Sequence, residues 1–378
     1  MVNGLWDADS ALMHNIGGAE AGAGRSGPAG LDPMLPADPR PPEAQRPHLR
    51  RGLDKAVVGL AGLVQHIFFR KIEVVGMEQV PHDRPLVFAA NHNNSVVDGV
   101  LLLALPGARP RLLAKSTLWS HPVMRPLLVL IGALPVYRRQ DPGVDVAGNF
   151  ATFARCHEAL RAGINIALFP EGMSHNERHR LPLKTGAARI VLEAEDRYGP
   201  LGIRIVPVGL GYEAKETFRS RVRVRVGLPI DPASEAARYR DEPGAAVRAL
   251  TTRLADGLDL VTRGDGWSAE ALAPSKPSAP WLRAARLLLG LSVYLIGVPL
   301  NWLPYRLPGW ISDRVSTTPD EPATYKLLAG LLTFPVFWVA ETALAVHWAG
   351  PVGGFVMAIA APVSGYAALR FSEEHDAR

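Results

Sequence analysis

The chain has 378 residues, 48% of them hydrophobic and 20% charged, and 41 Lys and Arg against 36 Asp and Glu give a net charge of +5. That length suits one large domain or two smaller ones, and the apolar share excludes a wholly disordered chain. A single cysteine, Cys156, excludes an internal disulfide framework and a cysteine-rich zinc site. The basic balance, with a pI of about 9.4, suits anionic lipid or phosphate surfaces. Mean hydropathy is +0.07, high for a soluble enzyme, because the apolar residues are unevenly spread.

Residues 1–50 are rich in Gly, Ala and Pro and read as a disordered tail with no apolar run long enough for a signal peptide. Pro36, Pro39, Pro41 and Pro42 each remove a backbone donor and fix φ, which prevents a helix there. Residues 51–265 read as an α/β domain, with short apolar runs alternating with longer amphipathic ones. Strands are expected over 72–75, 86–89, 111–114, 133–137, 164–169, 204–208 and 222–226. Helices are expected over 53–69, 95–105, 122–131, 144–162, 184–197 and 234–262. The first carries Leu60, Leu63, Ile67 and Phe68 ahead of Arg70 and Lys71, so it suits either a packed helix or one lying in a membrane interface. The last is highly charged and reads as a surface helix. Arg219, Arg221, Arg223 and Arg225 alternate, as residues lining one face of a strand do. A lipid-phosphate surface is their simpler partner, and nothing in the chain reads as a nucleic-acid module.

Residues 266–280 form a linker punctuated by Pro274, Pro277 and Pro280. Beyond it, over 281–371, the composition changes to two or three membrane helices. Apolar runs cover 287–303, 327–348 and 352–369, each near the ~20 residues that cross a bilayer. Trp281, Trp302, Tyr305 and Trp310 flank the first run as an interfacial belt would. Pro299 leaves that run either spanning or re-entrant. Glu341 stands near the middle of the second, where a carboxylate is costly unless neutral, paired or turned toward another helix. Residues 372–378 are a polar tail.

Four segments carry chemistry. In the first, Asn91, His92, Asn93, Asn94, Ser95 and Asp98 follow the apolar run 86–89, at a strand end where open α/β sheets place their sites. His92 is a candidate general base, and Asp98, at the start of a helix, can return to orient it. Taken alone, the segment also reads as a capped helix start with a surface histidine. In the second, the run 133–137 ends in Arg138 and Arg139, and a guanidinium there suits bidentate phosphate binding. In the third, Phe169, Pro170, Glu171, Gly172, Met173, Ser174 and His175 form a tight polar loop ahead of Lys184, Thr185 and Gly186, where a helix opens and an anion is favoured. The fourth is the strand Ile205, Val206, Pro207, Val208.

Together, in this order and over 74–227, these segments resemble the glycerol-phosphate and phospholipid acyltransferase superfamily, the lysophospholipid acyltransferase family. That family's commonest first block is His-x4-Asp, whereas five residues separate His92 from Asp98. The longer spacing is similar to the glycerol-3-phosphate and dihydroxyacetone-phosphate acyltransferase branch with hydrophobic C-terminal segments. So are His92-Asn93-Asn94, the 169–175 loop, Lys184-Thr185-Gly186-Ala187 and Phe218-Arg219-Ser220.

The resemblance implies an acyltransferase-type α/β domain, a mixed sheet flanked by helices, followed by membrane-embedded helices. It implies transfer of a fatty acyl group from acyl-CoA or acyl carrier protein to glycerol-3-phosphate or a lysophospholipid such as 1-acylglycerol-3-phosphate. His92 would be the base, Asp98 its orienter and Arg138 the grip on acceptor phosphate. Asn94, Lys115, Glu171, Gly172, Ser174 and Lys184 would complete the binding site. No cofactor or metal is implied. The catalytic domain would meet membrane lipids on the cytoplasmic face. Rival readings are a lipid-remodelling or tailoring acyltransferase, a membrane-anchored hydrolase using Ser174 or Ser95, and a non-catalytic lipid-binding protein. The hydrolase lacks Gly-x-Ser-x-Gly.

Overall fold

The expected apolar runs become strands of one sheet. They are β1 (Lys71–Val75), β2 (Leu86–Ala90), β3 (Arg111–Lys115), β4 (Leu134–Val136), β5 (Ile166–Leu168), β6 (Arg204–Tyr212) and β7 (Arg221–Val226). The computed structural model describes residues 47–122, 124–138, 141, 147–175, 177, 180–215, 217–263, 280–318 and 321–376. The sheet runs β1-β7-β6-β2-β5-β3-β4. The strands from β6 to β4 are mutually parallel, and β7 turns antiparallel to β6 and carries β1 with it. The sheet is therefore mixed. β2 is buried along its whole length, because a central parallel strand is covered on both faces.

The helices are α1 (Pro47–Phe68), α2 (Ser95–Leu103), α3 (Met124–Leu130), α4 (Gly148–Arg161), α5 (Gly186–Tyr198), α6 (Ala233–Arg238), α7 (Pro243–Thr262), α8 (Pro280–Val315) and α9 (Pro322–Asp376). One face of the sheet buries Phe88, Val206 and Val224 against residues of α1, α2 and the start of α9. The other buries Val87, Ile166 and Ile205 against α4, α5 and α7. Gly209 is required on β6 because a Cβ there would lie 2.4 Å from the Val261 carbonyl oxygen of α7.

Several expectations need correction. Helix α1 begins at Pro47, inside the stretch read as a tail; residues 1–46 and 264–279, hence most of the linker, lie outside the described residues. The single helix over 234–262 is two, because Pro243 has no N–H to continue a ladder and starts α7 afresh. Nor is α7 only a surface helix, since Ala246, Leu250, Leu254 and Leu258 are buried. Arg221, Arg223 and Arg225 do alternate with buried Val222, Val224 and Val226. They engage Glu213, Glu73 and the Arg263 carbonyl respectively. Arg219 leaves that face: its φ of 66 turns it inward, where it donates to the carbonyls of His66, Ile67 and Phe69 at the end of α1.

Helix α9 runs on to Asp376, into the stretch read as a polar tail. It is broken at Gly350 (φ 68, ψ −174), followed by Pro351, between the two apolar runs expected there. Beyond the break, Gly353 and Gly354 pack against Ala345, Val346 and Ala349, a close approach that small residues permit. Among the described residues, Pro322–Phe371 is long and apolar enough to cross a membrane, and little of its most apolar stretch is buried. The part before Gly350 is about 40 Å long at 1.5 Å per residue, more than a ~30 Å hydrocarbon core. Asn301 of α8 ties the helices together, donating to the carbonyls of Gly297 and Ala361 and accepting from Trp338 Nε1 at 3.0 Å.

Candidate active site

The C-terminal ends of β2, β3, β4, β5 and β6 lie along one edge of the sheet, and each delivers a polar group there. Just past β2, Asn91 extends the ladder with its side chain. It donates to the Leu210 carbonyl at 3.1 Å and accepts from Leu210 N–H at 2.7 Å. That fixes the loop carrying His92. The backbone then turns at Ser95, whose φ of 46 is a left-handed value rarely tolerated by a non-glycine residue. This turn absorbs the five residues between His92 and Asp98. His92 Nδ1 and Asp98 Oδ2 stand 2.9 Å apart.

Asp98 is fully buried in the first turn of α2, where the helix dipole favours a negative charge. Its Oδ2 also accepts Asn94 N–H at 2.7 Å, and its Oδ1 accepts the Tyr212 hydroxyl at the end of β6. An acceptor-only carboxylate requires Nδ1 of His92 to carry the proton, which leaves the Nε2 lone pair for chemistry. The imidazole stacks on Phe169, with centroids 3.9 Å apart and planes 10° apart. Its side chain is 17% exposed, enough for a substrate to reach.

Glu171 follows β5 and is buried. Oε1 accepts His92 N–H at 3.0 Å, while Oε2 accepts Leu181 N–H at 2.8 Å and meets His175 Nε2. The sequence places this carboxylate in the binding site; in the structure it holds the loop that carries His92. Asn94 is also buried, its side-chain amide donating to the Lys215 carbonyl at 3.0 Å, so it builds the loop rather than facing a ligand.

Arg138, past β4, donates to the Gly172 carbonyl at 2.8 Å and makes a two-point contact with Asp141 at 2.9 and 3.0 Å. Lys115, at the end of β3, stands 3.3 Å from the same carboxylate. Burial pushes the Asp141 carboxyl up, but the Arg138 hydrogen bond and charge, helped by Lys115, outweigh it and hold it below the usual range. Gly172 has φ 78, and the exposed Lys184 stem lies over it, 3.2 Å from where a Cβ would be. Ser174 is partly buried in the same loop. Thus His92, Glu171, Gly172, Arg138 and Lys115 form one connected group. Arg139 lies outside the described residues.

Sequence reasoning missed Tyr212 and Asp141, and named His175 only as a member of the 169–175 loop. Of the two missed, Tyr212 left a signal, since Gly209 to Tyr212 continue the alternation of β6. Burial, with the Asp98 charge beside it, pushes the Tyr212 phenol well above its usual value, so it remains a donor to Asp98. Tyr212→Phe strands Asp98 Oδ1 and is expected to cost about 1–3 kcal/mol of stability, measured by thermal melting. Cys156 is buried on α4, and burial pushes its thiol up to about 12. N-ethylmaleimide is therefore expected to leave it unlabelled in the folded protein by intact mass, and Cys156→Ala to keep at least half of wild-type activity. Among the described residues, no group of three or more His, Cys, Asp or Glu is placed to hold a metal ion.

Residues 71–211, which hold all of these groups except Tyr212, match the Acyltransferase family. Glycerol-3-phosphate O-acyltransferase 1 of Saccharomyces cerevisiae is 36% identical over 113 residues, 29% of this chain and 15% of that one. The 1-acyl-sn-glycerol-3-phosphate acyltransferase BAT2, chloroplastic, of Brassica napus is 29% identical over 143 residues, 38% of each chain. The chain thus spans well under two thirds of either relative. The crystal structure of the 1-acyl-sn-glycerophosphate acyltransferase PlsC from Thermotoga maritima aligns over 62% of this chain and 86% of that one, with 19% identity and a TM-score of 0.43. Residues 71–211 are an acyltransferase domain of the glycerol-phosphate acyltransferase superfamily.

Proposed function

We propose that this chain moves a fatty acyl group from a thioester, acyl-CoA or acyl carrier protein, to a hydroxyl of a glycerol phosphate. The observation that carries the reading is the His92–Asp98 contact, with Nε2 left free, linked through Glu171 and Gly172 to the Arg138 cluster. His92 Nε2 takes the proton of the acceptor hydroxyl as its oxygen attacks the thioester carbonyl. The tetrahedral intermediate collapses, the C–S bond breaks, and the imidazolium returns the proton to the departing thiolate. Asp98 stabilises the imidazolium between these events. No acyl-enzyme forms and no cofactor takes part.

Arg138 holds the acceptor phosphate. Its contacts with Asp141 and Gly172 use three of its five N–H groups, leaving two for a phosphate, with Lys115 and Lys184 adding charge. The yeast relative's name favours glycerol-3-phosphate as acceptor, and so does the Asn-rich five-residue spacing between His92 and Asp98. The name of the Brassica relative supports 1-acylglycerol-3-phosphate as the second reading. The exposed apolar surface of Pro322–Phe371 supports a membrane anchor that keeps an anionic acceptor and an apolar acyl chain at one boundary; the net positive charge of the chain suits the anionic cytoplasmic leaflet.

The test supplies membranes expressing the protein with acyl-CoA and either acceptor, and reads products by mass spectrometry. Lysophosphatidate formed from glycerol-3-phosphate supports the first reading. Phosphatidate formed only from added lysophosphatidate moves the assignment to the second. No product with either acceptor, even with acyl carrier protein as donor, would sink both.

A further inference from the structure

Helix α2, which carries Asp98, is capped only in part by its own chain: Val97 N–H donates to the Asn94 carbonyl at 3.0 Å and Asp98 Oδ2 accepts Asn94 N–H at 2.7 Å. Its N-cap residue, Asn94, makes no side-chain cap bond, and its side-chain NH2 donates to the Lys215 carbonyl. The next residue, Ser95, holds the left-handed φ of 46. The Val96 N–H is instead accepted by Thr324 Oγ1 at 3.3 Å, from the first turn of α9, 228 residues along the chain. Thr324 and Ala323 are buried there, and Leu327 packs in the same core as Val97 and Leu101 of α2. The start of α9 is itself braced. Ser312 donates to the Pro322 carbonyl at 3.1 Å, and Glu321 accepts the N–H groups of Thr317 and Thr318 at 2.8 and 3.2 Å.

We propose that Thr324 is a positioning residue for the His92–Asp98 pair: its hydroxyl supplies, from the C-terminal helix pair, the cap that holds the first turn of the Asp98-bearing helix in register. The inference rests on the acyltransferase reading above. Asp98 Oδ2 serves His92 Nδ1 and Asn94 N–H together, so it tolerates little movement of the turn. Val96 directly follows the strained Ser95 and stands two residues before Asp98. Losing its acceptor frees that turn to relax, and a misplacement of about 1 Å can cost up to ~10²-fold in rate. In this arrangement, seating of the membrane-anchoring segment and assembly of the catalytic pair are one event.

The test uses the full chain in lipid nanodiscs, with activity expressed per folded molecule counted from the melting amplitude. Thr324→Val keeps the shape and removes the hydroxyl, while Thr324→Ser keeps the hydroxyl. Thr324→Val is expected to lower kcat about tenfold with both KM values within about twofold of wild type, and Thr324→Ser to restore kcat. Hydrogen exchange of the 91–103 peptide, read by mass spectrometry and independent of turnover, is expected to rise in Thr324→Val alone. Wild-type kcat in Thr324→Val, an equal fall in both variants, or unchanged exchange would overturn the proposal. A wild-type protein that acylates neither acceptor would overturn the function instead, and exchange would still decide whether Thr324 holds the turn.

Discussion

His92→Ala is expected to lower kcat by about 10²–10⁴-fold while leaving both KM values near wild type, because it removes a proton transfer made only in the transition state. The imidazole is partly exposed and its backbone N–H still reaches Glu171, so the variant should fold normally. Asp98→Asn should lose a similar amount for a different reason. The carboxylate accepts three donors, from His92, Asn94 and Tyr212, and an amide must turn an N–H toward one of them. That substitution therefore also destabilises the fold, by about 1–3 kcal/mol. Rates measured in vesicles, with melting curves on the same samples, separate the two effects. Wild-type kcat in His92→Ala would remove the base from the mechanism.

Arg138→Ala is expected to raise the acceptor KM by about 10–100-fold, the equivalent of the ~1.5–3 kcal/mol of a hydrogen bond to a charged group. The KM for the acyl thioester should barely move, and Arg138→Lys should recover only part of the loss, since a point charge does not replace a planar fork. The same variant carries a pH signature through Asp141. In the wild type the Asp141 carboxyl is held low by Arg138 and Lys115 against its own burial. A carboxyl whose folded value lies below its unfolded value of about 3.9 stabilises fully above that value. The contribution is lost as pH falls through the folded value. Without Arg138, burial gains weight, and acid destabilisation should begin at a higher pH than in the wild type. Melting temperature followed from pH 7 downward checks the sign.

Central strands such as β2 and β5 were legible as short apolar runs buried on both sheet faces, and β7 as a run alternating Arg with Val. Helix α7 was misread because Arg248, Arg253 and Asp256 on its outer face hide the i, i+4 series Ala246, Leu250, Leu254 and Leu258. At the site, His92 and Asp98 could be paired from sequence because both lie in one loop-to-helix segment. Tyr212, 114 residues from Asp98, could not, because only closure of the sheet brings β6 beside β2. Glu171 and Asn94 look like ligands for substrate in the sequence. Their burial among backbone N–H and carbonyl groups is a tertiary fact. Arg219 reads as one more member of an alternating basic row until its positive φ removes it.

The central claim is direct, His92-dependent transfer between a thioester and a glycerol-phosphate hydroxyl, and thiol release measures it most directly. Purified protein in vesicles would be given acyl-CoA with and without glycerol-3-phosphate or 1-acylglycerol-3-phosphate. Free thiol and ester product would be counted together. The account predicts that thiol appears only with an acceptor, in equal number to the ester formed, and that both vanish in His92→Ala. Acceptor-independent thiol release, blocked by a fluorophosphonate that labels Ser95 or Ser174, would contradict it and make the protein a hydrolase.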